Sequence, residues 1–319
     1  EPYRRQRQMC IRDSNDTLFV PSGTTVYIDG GARVYGNIFT EGAHDVNIFG
    51  RGEVHPDGRG AGVWVRRSKN VRIDGIVVSQ LPIGQCDSVE LTNVKSISYY
   101  GWGDGMDVFS SSNVILDGVF CRNSDDCAAV YASTQGFKGG SNNVLVKNAT
   151  LWADVAHPIN IGGHGDPNGM DTVQNVTFRN IDILDQAEKQ VDYQGCLAIN
   201  PGDNTLVRNI TFENIRIEDF RNGQLVNFRI SFNPKYCVST GRGIQNVLVK
   251  DVTYNGSGEN LSIIAGYDEN HKISGIRFVN LVVNGRKITD DMPGKPKWYK
   301  TGDMAGIFVG EHVEKLSFE

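Results

Sequence analysis

The feature that most constrains this chain is a short motif, an Asn followed by alternating apolar residues, that recurs along most of its length. The copies begin at Asn70, Asn93, Asn113, Asn143, Asn175, Asn209 and Asn246, with a looser copy at Ile276. Successive Asn copies are separated by 23, 20, 30, 32, 34 and 37 residues. Periods of roughly 20 to 50 residues indicate stacked repeat units, each too small to bury its apolar face alone.

Each repeat unit has the alternation of a half-buried strand, as in Val71-Arg72-Ile73. The recurring Asn suits a turn, because it tolerates left-handed backbone angles and hydrogen-bonds locally. Stacked Asn side chains of successive coils are expected to form amide ladders. No long stretch has a helical period. We therefore predict an all-β chain folded as a single-stranded, right-handed parallel β-helix whose coils lengthen towards the C-terminus.

The repeat also predicts the domain organisation. Residues 15–319 are expected to form a single β-helix domain after an irregular leader, residues 1–14, which is rich in Arg and Gln. The net charge of −5 and the scattered basic residues give no sign of a nucleic-acid partner. No signal peptide or membrane-spanning run is visible, so no membrane partner is expected, and we expect a monomer. Because the leader looks irregular, the missing signal peptide does not exclude secretion or a periplasmic location.

Of the six cysteines, Cys121 and Cys127 flank the Asp pair; we expect them to be buried thiols stacked inside the coil, with a disulfide between them as the alternative. None forms a C-x-x-C pair, and the histidines lack metal-ligand spacing, so no metal site and no cofactor is predicted.

Three aspartates form the candidate site. Asp125 and Asp126 follow Asp104 by 21 and 22 residues, close to one coil, and equivalent positions on adjacent coils stack at about 4.8 Å. The three carboxylates are therefore expected to gather on one outer face. A glycoside-cleaving site needs such a cluster, with one carboxyl kept protonated as the acid and others ionised to activate water.

The same residues carry a family resemblance. Asp104-Gly105-Met106-Asp107 and Asn123-Ser124-Asp125-Asp126-Cys127 resemble the Asn-Thr-Asp and Gly-Asp-Asp motifs of the polygalacturonases, glycoside hydrolase family 28. Residues 20–32 resemble the opening coil of bacterial members. His157 matches the His of the family's Gly-His-Gly motif, although both flanking glycines are replaced. The resemblance implies a pectin-lyase-like β-helix and a secreted enzyme that cleaves a polysaccharide or oligosaccharide.

One family motif is missing. The Arg-x-Lys motif should fall near residues 195–200, where there is no basic residue, so an acidic galacturonan has less charge to hold it. Leu151-Trp152, Pro158 and Tyr131 are also similar to the dextranase and isopullulanase group, family 49, which cuts neutral glucans. Arg229 could restore a positive charge from a later coil, or it could simply pair with an acid.

Together, the chemistry and the resemblance imply inverting hydrolysis. Asp125 would be the general acid, with its pKa raised by neighbouring carboxylates, while Asp104 and Asp126 stay ionised and polarise the attacking water. An inverting site predicts acid-to-base separations of about 6.5–9.5 Å. His157 would hold the acid or a sugar hydroxyl by a hydrogen bond, and Asp107 is expected to be a supporting or solvated acid.

The expected substrate-binding residues lie in later coils and loops: Tyr131, Trp152, Asn160, His164, Arg229 and Tyr267. Trp102 joins Tyr131, Trp152 and Tyr267 as a candidate sugar-stacking platform. Two alternatives remain open besides a dextranase-like hydrolase. One is a lyase on the same fold with a Ca²⁺-carboxylate site, and the other is a non-catalytic carbohydrate-binding β-solenoid.

Overall fold

The computed structural model of the chain describes residues 17–258 and 260–319. The predicted leader, residues 1–14, and Cys10 lie outside the described residues. Within this described part of the chain there are two short helical segments, a 3₁₀ turn at Val191–Tyr193 and α1 at Thr301–Met304. The strands are, in chain order, β1 (Thr17–Phe19), β2 (Thr25–Ile28), β3 (Arg33–Tyr35), β4 (Asn37–Glu41), β5 (His44–Gly50), β6 (Glu53–His55), β7 (Val63–Arg66), β8 (Lys69–Asp74), β9 (Val77–Val78), β10 (Ile83–Gly84), β11 (Asp87–Thr92), β12 (Lys95–Ile97), β13 (Met106–Phe109), β14 (Ser112–Asp117), β15 (Phe120–Asn123), β16 (Ala128–Tyr131), β17 (Asn142–Ala153), β18 (Ile159–Ile161), β19 (Thr172–Gln186), β20 (Leu197–Ile199), β21 (Leu206–Ile217), β22 (Val226–Arg229), β23 (Gly243–Tyr254), β24 (Ser262–Ala265), β25 (Ile273–Val283), β26 (Arg286–Ile288), β27 (Ile307–Val309) and β28 (Val313–Phe318).

These strands stack coil upon coil, which confirms the predicted parallel β-helix. One sheet, called sheet A, takes one strand from each coil, in the order β1-β4-β7-β10-β13-β16-β18-β20-β22-β24-β27. The remaining 17 strands form sheet B, which receives two strands from each early coil. From β17 to β25 those two strands run together as one long strand bent in the middle. Strands of successive coils pair in parallel, for example β13 with β16 and β16 with β18.

The Asn residues form two ladders of side-chain hydrogen bonds, as the repeat predicts. In one ladder Asn143 donates to Asn113 at 2.7 Å, and in the other Asn180 donates to Asn148 at 2.7 Å. These residues have φ of 54–57°, the left-handed region that Asn tolerates best after Gly. The predicted register was wrong at Asn93, because this residue belongs to the second ladder. Ser88, with φ of 60°, takes the corresponding place in the first.

The interior of the coil is filled by Val and Ile, with rings stacked from coil to coil, such as Phe178 on Phe212 at 5.9 Å. Cys121 and Cys127 are free, buried thiols, so the disulfide alternative is wrong and the buried-thiol prediction is confirmed. Burial raises the pKa of Cys86 to about 11, which keeps this thiol protonated and unreactive.

The connections from sheet B into sheet A position the candidate site. We call them the entry corners, and the relevant ones are residues 98–105, 124–127, 154–158 and 187–196. They follow one another along the coil axis because each leads into the next strand of sheet A. Side chains from successive entry corners are therefore brought together.

Candidate active site

Three carboxylates converge at the start of sheet A. Met106 pairs with Ala128, so Asp104 and Asp126 occupy equivalent places on adjacent coils, and Asp125 lies beside Asp126. One carboxylate oxygen of each aspartate lies within 4.8 Å of the others. The cluster expected from the spacing is therefore present, on the outside of the coil.

The entry corners leave little freedom around these acids. The Gly105 amide donates to the Asp126 carbonyl at 2.7 Å, and a Cβ at Gly105 would lie 2.2 Å from the Cys127 carbonyl oxygen. The buried Asn123 side chain donates to the Asp104 carbonyl at 3.1 Å and to Ser98 at 3.0 Å. The backbone that carries the acids is thus fixed by close contacts and internal hydrogen bonds.

Asp126 is the most tightly held acid. Its Oδ1 accepts hydrogen bonds from the His157 amide at 3.0 Å and from His157 Nδ1 at 2.7 Å. Its Oδ2 accepts from the Tyr131 hydroxyl at 2.5 Å and from the Asn160 amide group at 2.8 Å. Burial alone would raise the pKa of Asp126, but the charge of His157 and these hydrogen bonds bring it below its ordinary value. Asp126 is therefore ionised.

Asp125 has the opposite environment. Burial and the adjacent charge of Asp126 raise the pKa of the Asp125 carboxyl to about 7. A carboxyl with such a pKa still holds its proton near neutrality and can donate it. The carboxyl groups of two consecutive residues thus have pKa values shifted in opposite directions. This is the arrangement that combined acid and base catalysis requires.

Asp104 departs from the prediction that it stays ionised. Burial, and then the charges of Asp125 and Asp126, raise the pKa of Asp104 well above its ordinary value. The raised pKa values of Asp104 and Asp125 favour their protonated forms, whereas the lowered pKa of Asp126 keeps the negative charge on that residue.

Asp107 is buried, so the reading of it as a solvated acid is wrong. Its side chain points outward from sheet A, yet it is only 5% exposed and its Oδ1 has no hydrogen-bond partner. Burial and the nearby Asp104 raise the pKa of Asp107 well above its ordinary value. A protonated Asp107 adds no further negative charge to the cluster.

His157 has a different role from the one predicted. It bonds Asp126, and not the acid Asp125, and it is fully buried. Its second ring nitrogen, Nε2, is also buried without a partner. Because both ring nitrogens are buried, His157 positions the Asp126 carboxylate and is not exposed to bind a sugar hydroxyl.

Three of the predicted substrate-binding residues lie at the cluster. Tyr131 and Asn160 contact Asp126 directly and each other at 2.9 Å, so they support a carboxylate. Both are buried, which removes Tyr131 as a stacking platform. His164 packs edge-on against Tyr131 at 5.1 Å between ring centroids, and burial lowers its pKa.

The other three predicted substrate-binding residues, Trp152, Tyr267 and Arg229, do not contact the acid cluster. Trp152 lies in the long strand β17 of sheet B, where it packs under the Arg122 guanidinium at 4.2 Å. Tyr267 follows β24, four strands along sheet A from Tyr131, and packs on His271. Arg229 does face outward from sheet A, but it is paired with Asp192 at 2.7 Å. The repeat gave no measure of which face of its coil Trp152 or Tyr267 would occupy.

Sequence reasoning missed a second group of side chains beside the acids. Glu188 is buried, accepts from the Ala156 amide at 3.2 Å and adds to the raised pKa of Asp125. The Tyr193 ring lies 5.3 Å from His157 and 4.4 Å from Tyr236. These residues come from long connections of unequal length, which carry no repeat signal.

The expected Arg-x-Lys positions are occupied by small or neutral side chains. Ala198 of β20 is in register with Asn160 of β18, and Asn200, the residue after β20, donates to Asn227 at 3.0 Å. The exposed Lys235 ammonium lies over the Tyr236 ring at 4.7 Å, and its pKa is raised first by the hydrogen bond to Tyr236 and then by the charges of Tyr236, Glu188 and Asp125. Lys235 also donates to Gln190 of entry corner 187–196 at 3.4 Å, so a later connection brings a positive charge to that corner.

The facing oxygens of the three carboxylates are close together. They lie within 4.8 Å of one another, whereas the expected separation of about 6.5–9.5 Å for an inverting site applies between whole carboxyl groups. The spacing still admits a water, because two hydrogen bonds of about 2.8 Å reach across it. The same three acids could also hold a divalent cation, whose ligands are carboxylate oxygens.

A parallel β-helix with a cluster of acids at the start of one sheet defines a class of carbohydrate-active proteins, and comparisons with known proteins specify the family. The model of glycosyl hydrolases family 28 matches residues 62–292. The chain belongs to glycoside hydrolase family 28.

Individual relatives are more distant. An exopolygalacturonase of Cochliobolus carbonum is 25% identical over 66% of this chain and 52% of its own length. A polygalacturonase of Juniperus ashei is 26% identical over 65% of this chain and 39% of its own length. The chain thus spans about half or less of the length of these relatives. The structure of the Yersinia enterocolitica family 28 exopolygalacturonase superposes with a TM-score of 0.69 at 13% identity, over 94% of this chain and 70% of that one.

Among residues 17–258 and 260–319, no helix is long and apolar enough to cross a membrane.

Proposed function

We propose that this protein is an inverting glycoside hydrolase that cleaves the galacturonate backbone of a pectic polysaccharide or oligosaccharide. The observation that carries the proposal is the opposed environment of two adjacent acids. Asp125 has a pKa near 7 and Asp126 is held ionised by four hydrogen bonds from three residues.

The chemistry assigns each acid a task. Asp125 gives its proton to the glycosidic oxygen as the bond from that oxygen to the anomeric carbon breaks. Asp126 takes a proton from a water that Asp104 helps to hold by a hydrogen bond, and the oxygen of this water bonds to the opposite face of the anomeric carbon. The cycle closes when Asp125 regains a proton and Asp126 loses one to solvent.

Inversion is supported by the family, since family 28 enzymes invert the anomeric configuration. The stereochemistry of the first product tests it directly.

The relatives support a uronate substrate, because they are named polygalacturonases. Lys235 is the proposed contact for a substrate carboxylate, since it is exposed and unpaired with an acid among the described residues. Arg229 is less suited because Asp192 already neutralises it.

A neutral glycan is the second candidate. The observation that favours it is the pair of positions at Ala198 and Asn200, which offer no charge to a uronate. We further expect the protein to act outside the cytoplasm, as a monomer.

One experiment tests these proposals together. The protein is incubated with pectic acid, dextran, pullulan and a panel of plant oligosaccharides, and reducing ends and the anomeric form of the first product are followed by NMR. We expect cleavage of pectic acid with inversion. Retained configuration would contradict the mechanism, cleavage of the neutral polymers alone would select the second candidate, and inactivity on every polymer would contradict the hydrolase.

A further inference from the structure

Two large aromatic side chains stand exposed beside the acid cluster. Tyr99 is 76% exposed and Trp102 is 70% exposed. Both belong to entry corner 98–105, which also delivers Asp104, so Trp102 lies only two residues from a clustered carboxylate. Of the four aromatic residues considered as platforms, Trp102 is the one that combines exposure with a place next to the acids.

The corner that carries them is anchored at both ends and in the middle. The Tyr100 hydroxyl donates to the Gly60 carbonyl at 2.7 Å and accepts from the Gly60 amide at 3.1 Å. Gln80 donates to the Trp102 carbonyl at 2.9 Å, and Ser98 and Ser124 bond the carbonyls of Gly103 and Tyr100. The two exposed rings are therefore presented from a fixed backbone.

The backbone at Trp102 adopts an unusual conformation for so large a residue. Its φ is 65°, in the left-handed region that bulky side chains rarely adopt. Such strain persists where the surroundings impose it, and it concentrates at ligand-binding sites. The hydrogen bonds of the corner hold this geometry, and they keep the indole exposed at the surface.

We propose that Trp102, assisted by Tyr99, forms a sugar-binding subsite that stacks on a pyranose ring of the substrate beside the cleaved bond. The proposal rests on the proposed function, because the occupant is the polysaccharide chain continuing from the acid cluster. His55 stacks against Tyr99 at 6.1 Å and so supports that ring from one side. A rigid aromatic face offers large contact area at low entropic cost.

This subsite also accounts for how the chain holds a substrate without the missing basic pair. Stacking acts on the apolar face of a sugar ring and needs no charge. It therefore works next to Asp104, Asp125 and Asp126 whether the stacked ring is a uronate or a neutral sugar, and it adds to the contact proposed for Lys235.

The test measures binding separately from turnover. Asp125→Asn protein is titrated with oligogalacturonides of increasing length and with their carboxyl-reduced counterparts, and tryptophan fluorescence and calorimetry are recorded. Trp102→Ala in this background is expected to weaken binding about five- to thirtyfold, the range typical of a buried aromatic anchor. Trp102→Phe should retain most of the affinity but lose the fluorescence change.

Trp298 supplies the matched control. It is 83% exposed and lies between β26 and α1, several coils from the acids. Trp298→Ala should bind like its parent. Equal affinity of the Trp102→Ala and parent proteins, or no binding of either oligosaccharide series, would overturn the subsite.

Failure of the proposed function has a different signature. If the protein with Asp125 intact hydrolyses neither series while Trp102-dependent binding persists, the hydrolase fails and the subsite stands. If hydrolysis proceeds and Trp102→Ala changes neither binding nor the KM for the longer oligosaccharides, the subsite alone fails.

Discussion

The two kinds of corner in the β-helix, the Asn corners and the entry corners, differ in how regular they are. At the Asn corners, the bends of sheet B lined by the two Asn ladders, similar residues recur from coil to coil with the same φ and the same hydrogen bond. At the entry corners, successive coils use connections of different length and composition, and they present acids, a histidine and exposed aromatics. Repetition at one corner builds the scaffold, and the lack of repetition at the other makes a site.

The difference also shows in how polar groups are satisfied. In the ladders, the side-chain amide of one Asn hydrogen-bonds to the side-chain amide of an Asn on the next coil. At the entry corners and in the strands of sheet A that follow them, Asp126 accepts four hydrogen bonds, whereas Asp107 Oδ1, Asn160 Oδ1 and His157 Nε2 are buried without partners. Such unpartnered groups are costly for stability, and they concentrate where the structure serves chemistry.

The largest expected effect comes from the acids themselves. Asp125→Asn and Asp126→Asn should each lower kcat on the best substrate by about 10²–10⁴-fold, because each removes a proton-transfer group. The measurement is initial-rate kinetics with the fold checked by circular dichroism. The control is Asp291→Asn, an exposed aspartate of the C-terminal loop, which should retain full activity. Near-normal activity of Asp125→Asn would contradict the conclusion that the entry corners form the catalytic site.

A second prediction concerns the pH profile. Because Asp125 must be protonated to act, kcat/KM should fall as the pH rises through about 7. Because Asp126 must be ionised and its pKa is lowered, activity should persist in acid until the pH falls below the ordinary pKa of an aspartate. A profile that rises through pH 7 would contradict the assignment of Asp125 as the acid.

A smaller effect is expected for His157. His157→Ala removes a charged hydrogen bond to Asp126, so the pKa of Asp126 should rise and the acidic limb of the profile should move to higher pH. The rate should fall by about 10- to 100-fold, as for other buried charged hydrogen bonds. Loss of activity without any change of the acidic limb would mean that His157 is needed only for the fold.

Lys235 should matter less. Lys235→Ala is expected to raise KM for oligogalacturonides about fivefold and to leave KM for carboxyl-reduced oligosaccharides unchanged, because it removes one exposed charge. Lys295, a lysine of the C-terminal loop, provides the comparison variant. An equal change of KM for charged and neutral oligosaccharides would exclude Lys235 as the carboxylate contact.

The Asn corner should show the reverse pattern, with a change in stability and none in catalysis. Asn180→Ala should lower the free energy of unfolding by about 1–2 kcal/mol, because Ala resists the left-handed backbone and the ladder hydrogen bond is lost. Asn180→Gly keeps the backbone angle accessible and isolates the hydrogen bond. Denaturant unfolding measures both variants, and a fall in kcat in either would contradict the separation of scaffold from site.

The repeating parts of the structure, and the residues directly next to its strands, could be predicted from the sequence. The alternation of Val71-Arg72-Ile73 and the recurring Asn were enough for the β-helix, because stacked coils leave few other ways to bury these apolar residues. The convergence of Asp104 with Asp126 followed from the coil period alone.

Other parts of the site could not be derived in this way. The faces taken by Trp152 and Tyr267 depend on where each residue falls in its coil, which the uneven repeat intervals leave undetermined. The approach of Glu188, Tyr193 and Lys235 depends on the paths of connections that have no counterpart on other coils. Their contacts arise from tertiary packing between residues far apart in the sequence.

The assignment of Asp125 as the general acid and Asp126 as the general base is tested most directly with an activated substrate. A 2,4-dinitrophenyl galacturonide has a leaving group that needs no protonation. We predict that Asp125→Asn hydrolyses it at close to the parent rate while Asp126→Asn does not, although both fail on the natural linkage. Equal loss of activity on this substrate in the two variants would contradict the assignment of Asp125 as the proton donor.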